Sequence, residues 1–265
     1  MKLKKKRRRA FLDLTPLDLA GDEPREHPLF LKRFDEPALR RELEQAGLFA
    51  GLGARGYHEI ELRTEFAGGE HRLQALSKDE HEVLIDLRLA EESRLTQGLS
   101  PRPSGLEVLS VLSIHWLEMQ DPRAAFTPDR PQLPGQRHPG LRLTRPLIVR
   151  IHGWATAWGK DAVLNVPEYF HNAVFYSAAY QFVSPARQGR FLALRRDLAS
   201  LSVAAASRAV DQGRVIEEPE ARPLSWESGE MIAALTDPVR GYLESREWKT
   251  TAADACEAAR FRLRL

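Results

Sequence analysis

Cysteine is nearly absent: Cys256 is the single one in 265 residues. One thiol forms no internal disulfide and anchors no multi-cysteine zinc site, which fits a reducing compartment and an expected cytoplasmic location. Long apolar runs are missing too. The most apolar stretch, 106–117, is interrupted by Glu107, Ser110 and Ser113. A membrane helix needs about 18 uninterrupted apolar residues, so no span is expected. Several catalytic signatures are lacking as well. There is no P-loop, no glycine-rich dinucleotide motif set between a strand and a helix, and no G-x-S-x-G nucleophile elbow. Eight histidines are present, but none forms an H-x-H or H-x-x-x-H pair. No metal site is therefore expected, although Glu168 and His171 share a helical face.

Charge is unevenly spread. Seven of the 39 basic residues fall within residues 2–9, and the remaining 32 face 37 acidic residues, so the body is mildly acidic. A nucleic-acid binder usually carries a basic face within its fold. Here only the arm at residues 2–9 offers that contact, and a solvated tail is the plainer reading. The arm does not have the form of a secretory leader, because Ala10, Phe11 and Leu12 give way at once to Asp13. Hydrophobic residues make up 43% of the chain, which supplies a substantial core.

The patterning divides the chain into three parts. Residues 1–30, with Pro16, Pro24 and Pro28 among charges, read as arm and linker. Residues 31–184 read as an α/β (α+β) domain, and 185–265 as a mostly helical C-terminal extension broken at 213–224. Within the domain, 36–50 is predicted as one helix with Pro37 in its first turn. Alternation predicts strands over 57–66 and 81–89, with Gly68 and Gly69 turning the first into a hairpin partner. The run 106–120 is long for a strand. Its first half reads as helix or strand and 114–120 as strand, with Ile114, Trp116, Glu118 and Gln120 on one face. A loop of five prolines spans 121–140, and a helix capped by Thr144 runs to Trp158. A short strand at 162–166, a helix from Pro167 to about Tyr180 and a last short strand at 181–183 follow. The sum is a central mixed sheet, mostly antiparallel and flanked by helices.

The loop before the Thr144 helix reads Gln136-Arg137-His138-Pro139-Gly140-Leu141-Arg142, and the later helix carries Asn172 and Tyr176. This order resembles the GNAT acyltransferase superfamily, whose signature is a strand, a loop R/Q-x-x-G-x-G/A and a helix N-terminus facing the coenzyme A pyrophosphate. Arg137 and Gly140 match the first half. Arg142 stands where glycine or alanine is expected, Pro139 removes one N–H, and the Asn172–Tyr176 spacing is shorter than the family pattern. The resemblance implies acetyl-CoA or another acyl-CoA as cosubstrate, a small-molecule or amine acceptor, and Gln136, Arg137, His138, Gly140, Arg142 and Asn172 as coenzyme contacts. It also implies Glu118 as general base, with Glu168 and His115 as secondary candidates, and Tyr176 as the acid that protonates the leaving thiolate. The structural alternatives are an ion-paired carboxylate at Glu118 and a core aromatic at Tyr176. A non-catalytic binding protein of the same shape is the second functional reading, and a protein contacting nucleic acid through residues 2–9 is the third.

Overall fold

The computed structural model describes residues 29–79, 81–97, 99, 107–219 and 221–264, and the backbone of Thr15–Pro16. The basic arm at residues 2–9 lies outside the described residues. Thr15–Pro16 forms β1, a two-residue strand. Helix α1 covers Glu36–Gln45. It starts where Asp35 accepts a hydrogen bond from the Ala38 amide at 2.8 Å, with Pro37 in the first turn. The single helix expected over 36–50 is broken. Gly47 takes φ 76, a left-handed conformation that ends α1, and α2 restarts over Leu48–Gly53.

Strands β2 (Ile60–Ala67) and β3 (Glu70–Ser77) form the expected hairpin. Both turn residues, Gly68 and Gly69, have positive φ, as a two-residue turn matched to strand twist requires. Next come β4 (Val83–Leu95) and β5 (Val108–Met119). The whole of β5 is strand, including the half that periodicity left open between helix and strand. The pairing of β5 with β4 shifts register between Arg88 and Leu89, and His115 is the extra residue. This bulge inverts the alternation. Leu112 and Ile114 pack in the main core and so do Leu117 and Met119, so Trp116 and Glu118 leave the face that Ile114 occupies.

After the proline loop, α3 (Thr144–Ala157) crosses over to β6 (Ala162–Asn165), which lies parallel to β5. Leu143 rather than Thr144 occupies the cap position of α3, and no side chain caps it. The Thr144 hydroxyl instead lies 3.6 Å from the Met119 sulfur. Helix α4 (Phe170–Tyr176) and strand β7 (Gln181–Phe182) complete the domain read from sequence.

Residues 185–265 carry helices α5 (Pro185–Asp197), α6 (Val203–Asp211), α7 (Asp237–Glu244) and α8 (Arg246–Ala258). They also supply strands that periodicity did not reveal. These are β8 (Val215–Glu218), β9 (Arg222–Pro223), β10 (Met231–Ala234) and β11 (Arg260–Leu263). A small sheet has the order β11-β8-β9. The main sheet has the order β2-β3-β4-β5-β6-β10-β7, with β1 beside β4. Strand β10 thus sits between β6 and β7, so the 184/185 division expected from sequence runs through one sheet. The fold is α+β, with a mostly antiparallel sheet flanked by helices. One sheet face packs on α1 to α5 through a large core, and the other packs on α7 and α8 around Val239, Tyr242 and Trp248. Among the described residues no helix is long and apolar enough to cross a membrane.

Helices α5 and α8 touch backbone to side at Gly189, where an added Cβ would lie 2.2 Å from the Ala252 carbonyl oxygen. Gly189→Ala is expected to cost about 1–3 kcal/mol, because this clash outweighs the gain in helix propensity. Gly153 in α3 has nothing within 4 Å of its added Cβ. Gly153→Ala should therefore raise stability by about 0.5–1 kcal/mol. Thermal melts of the two variants check the opposite signs.

His171 of α4 is 3% exposed, its Nδ1 lies 2.8 Å from the Ser207 hydroxyl of α6, and burial pushes its pKa from 6.5 down to about 4. The folded state therefore binds this proton less readily than the unfolded one. Its contribution is complete above pH 6.5 and is lost as pH falls toward 4, by at most about 3 kcal/mol. Denaturant titrations at pH 7 and pH 4.5 should show this loss, and His171→Phe should reduce it.

Candidate active site

Two polar clusters lie at the carboxyl ends of β5 and β6, one on each face of the sheet. Pairing of β5 with β6 runs from Val111 opposite Ala162 to Ile114 opposite Asn165 and stops there. Strand β5 continues through His115 to Met119, held on its other edge by β4. The strand edge beyond Ile114 has no β6 neighbour until the Leu141 amide meets the Met119 carbonyl at 3.4 Å, so the parting strands leave a gap, a crevice in the pairing of the sheet, along His115–Glu118.

On one side of the crevice stands Asn165, 3% exposed, with neither Nδ2 nor Oδ1 in a well-oriented hydrogen bond. The Tyr180 hydroxyl is beside it and is joined to His152 Nε2 at 2.7 Å. Tyr176 packs against Tyr180 with ring centroids 5.4 Å apart. Burial lowers the His152 pKa, raises that of Tyr176 to about 12 and, more than any other cause, raises that of Tyr180 well above 10. All three groups are neutral at pH 7, which is how a dry polar cluster remains stable.

On the other face, His115 is held between two carboxylates. Its Nδ1 lies 2.7 Å from Glu70 Oε1 and its Nε2 3.3 Å from Glu92 Oε1. The Ser113 hydroxyl donates to Glu92 Oε2, and Arg94 Nη2 reaches the same oxygen at 2.7 Å. The Glu92 contact above all, and then Glu70, raise the His115 pKa above 6.5 against burial. Burial would raise the Glu92 carboxyl, but hydrogen bonds from His115 and Ser113 outweigh it and leave it below the usual range. The imidazole is thus a proton store on the sheet face, with its charge matched on both sides.

The residues singled out from sequence distribute as follows. Glu118 lies opposite Asp86 on this polar face, and Asp86 is gripped by Arg72 through bonds of 2.9 and 2.7 Å. Tyr176 packs against the main core on the far face, so the sheet separates the two residues expected as base and acid. Asn172 Oδ1 accepts from the Tyr169 amide at 3.1 Å and is occupied in starting α4. Gln136 folds back on its own loop, accepting from the Leu133 amide at 3.1 Å. Arg137 is exposed and His138 half-buried. Gly140 bridges to Gln120, and its carbonyl accepts from Arg130. A Cβ on Gly140 would meet the Met119 oxygen at 3.5 Å, an ordinary contact, so this glycine is not demanded by close approach. Arg142 is exposed with φ 57, the conformation glycine adopts freely, at a strain of about 1 kcal/mol.

Glu70, Glu92, Ser113 and Asn165 were not legible as a site. Glu70 is 45 residues from His115, and no local pattern marks such a pair. Among the described residues no group of three or more His, Cys, Asp or Glu side chains is arranged to hold a metal ion. No family model matches the chain, and no curated protein matches it. A solved structure described as the crystal structure of a bacterial toxin is similar over 68% of this chain and 75% of that one. The identity is 9% and the TM-score 0.33, too slight a likeness to establish a shared fold.

Proposed function

We propose that the chain transfers an acyl group from an acyl-CoA, acetyl-CoA in the first instance, to an amine acceptor, and that it does so in the cytoplasm. One observation carries the reading: β5 runs on from His115 to Met119 after β6 has ended its pairing at Asn165. A crevice at the carboxyl ends of parallel strands is where α/β sheets take ligands. Helix α3 adds support. Its first amides have no side-chain cap, its first turn has no acid, and Arg142 and Arg145 beside it are exposed. That end suits a pyrophosphate. The Asn165 amide, beside the Tyr180 hydroxyl and without a well-oriented hydrogen bond, fits an amide-bearing chain, since it offers two N–H donors and one acceptor oxygen. Gly140, turned toward β5, contributes less than the sequence resemblance implies. The single Cys256, half-buried and free, supports a reducing location.

In the reaction the amine nitrogen attacks the thioester carbonyl, a C–N bond forms, the C–S bond breaks, and the thiolate takes a proton. His115, the first residue past the end of β5–β6 pairing, is the favoured base once one ring nitrogen is released from Glu70 or Glu92, with Glu118 three residues on as the alternative base. A base acts deprotonated, and Glu92 and Glu70 hold the His115 pKa high. Tyr176 stays protonated at neutral pH, as an acid must, but burial makes it a weaker acid than a free phenol. The second reading, an interaction protein, expects an apolar patch on residues 185–265. The large exposed apolar residues described there are Leu192 and Val203, on separate helices.

Saturating acetyl-CoA, at about 100 times its dissociation constant, stabilises a native-only binder by ~2.7 kcal/mol and should raise the melting midpoint by several degrees. The double variant Arg142→Glu, Arg145→Glu should abolish that shift. No shift in the parent chain removes the acyltransferase reading. In a turnover assay the rate should rise with pH through a midpoint above 6.5, and His115→Gln should remove that limb.

A further inference from the structure

A second concavity lies away from the crevice, between α5 and the β8–β9 hairpin. It is open to solvent on one side and holds about 150 Å³. An apolar cavity of roughly that size accepts one benzene ring. Its wall is aromatic: Phe182, Phe191, Trp226 and Phe261 line it. Phe182 meets Phe191 edge-on at 5.4 Å and Trp226 edge-on at 6.4 Å, and the Trp226 indole N–H is fixed on the Pro167 carbonyl at 3.2 Å.

Three guanidiniums line the same cleft, from Arg187, Arg190 and Arg222. Glu217 is 6% exposed and already satisfied, by Arg190 Nη1 at 2.6 Å and Arg222 Nη2 at 2.9 Å. The Arg190 bond above all holds its carboxyl below the usual range. Arg187 differs. Its Nη1 donates only to the Glu227 carbonyl at 3.0 Å, and its Nε is buried with no hydrogen-bond partner. The position is built rather than incidental, because a Cβ on Gly229 would lie 2.3 Å from Arg187 Cδ and 2.4 Å from Nε. Three guanidiniums face two carboxylates here, Glu217 and Glu227, and Arg187 has no carboxylate partner among the described residues. A carboxylate is the planar partner that such a fork binds in two bonds.

We propose that this cleft binds a small aromatic acid, a single ring carrying one carboxylate, with the ring against Trp226, which Phe182 and Phe191 back from the core, and the carboxylate on Arg187. The site is independent of the acyl-transfer reading. The neutral ring alone fits the wall, so charge is the discriminating feature. An anion without a ring fits the arginines but leaves the wall uncovered.

The test uses the full chain with benzoate and its neutral isostere benzamide, followed by ligand-observed NMR and calorimetry at fixed salt. Benzoate is expected to bind saturably and at least about tenfold more tightly than benzamide. Arg187→Met should weaken benzoate about tenfold or more and leave benzamide nearly unchanged. Ser225→Trp, an exposed position on the cleft rim, should block both ligands while leaving the melting temperature near that of the parent, and it serves if Arg187→Met fails to fold. Any acetyl-CoA-induced shift in melting temperature should persist in both variants. Equal binding of benzoate and benzamide overturns the proposal. So does benzoate binding unaffected by both variants, or no saturable binding up to roughly tens of millimolar.

Discussion

The parallel pairing of β5 with β6 is the constraint from which the rest of the architecture follows. Only four residues on each strand take part, Val111–Ile114 and Ala162–Asn165, and every one is at most 5% exposed. Parallel neighbours cannot be joined by a tight turn, so the chain must cross over, and α3 is that crossover. Strands of this kind must also be covered on both faces. One cover comes from α1 to α5. The other comes from α7 and α8, more than 70 residues later in the chain. Asp161 fastens the pair at its start. Its amide donates to the Ser110 carbonyl at 2.7 Å, its Oδ2 accepts from the Ser110 amide at 2.8 Å, and its carbonyl accepts from the Leu235 amide at 3.0 Å. One short carboxylate residue thus ties β5, β6 and the end of β10 together. At the opposite end nothing comparable holds the strands, and there they part beside Asn165.

Elements that announce themselves locally were legible in the sequence. Asp35 and Pro37 mark the start of α1, and Gly68-Gly69 marks the β2–β3 turn, because capping and turn chemistry act over a few residues. Strand β5 was only half legible. From Val111 to Ile114 it is buried on both faces, so apolar residues stand on both sides and the pattern does not separate strand from buried helix. The His115 bulge was invisible for a different reason, since an extra residue is defined by its partner strand. Strand β10, with the sequence Met-Ile-Ala-Ala, is buried on both faces and carries no period at all. The same distinction governs the site. His115 and Tyr176 could be nominated by type, but Glu70 and Glu92 become relevant only through strand pairing. Asn172, nominated by motif, is occupied by the amide of Tyr169.

The two polar sites solve opposite charge problems. At His115 two carboxylates surround one titratable base, and Arg94 balances the excess from behind, 3.9 Å from the buried Glu230. In the second cleft arginines surround Glu217 and leave positive charge in surplus. The mild acidity of the body hides this separation. Placing each surplus against a concave, partly dry surface makes the interaction stronger than the same charges would achieve in open water.

The position of β10 has a consequence for synthesis. A ribosome delivers β6 and β7 some fifty residues or more before the strand that separates them. Until Met231–Ala234 emerges, β6 has an unpaired edge and β7 has no neighbour in the sheet. Contacts across so long a span form slowly, and exposed strand edges invite pairing with other chains. The nascent protein therefore passes through a stage with an incomplete sheet, and its last third supplies the strand that closes it.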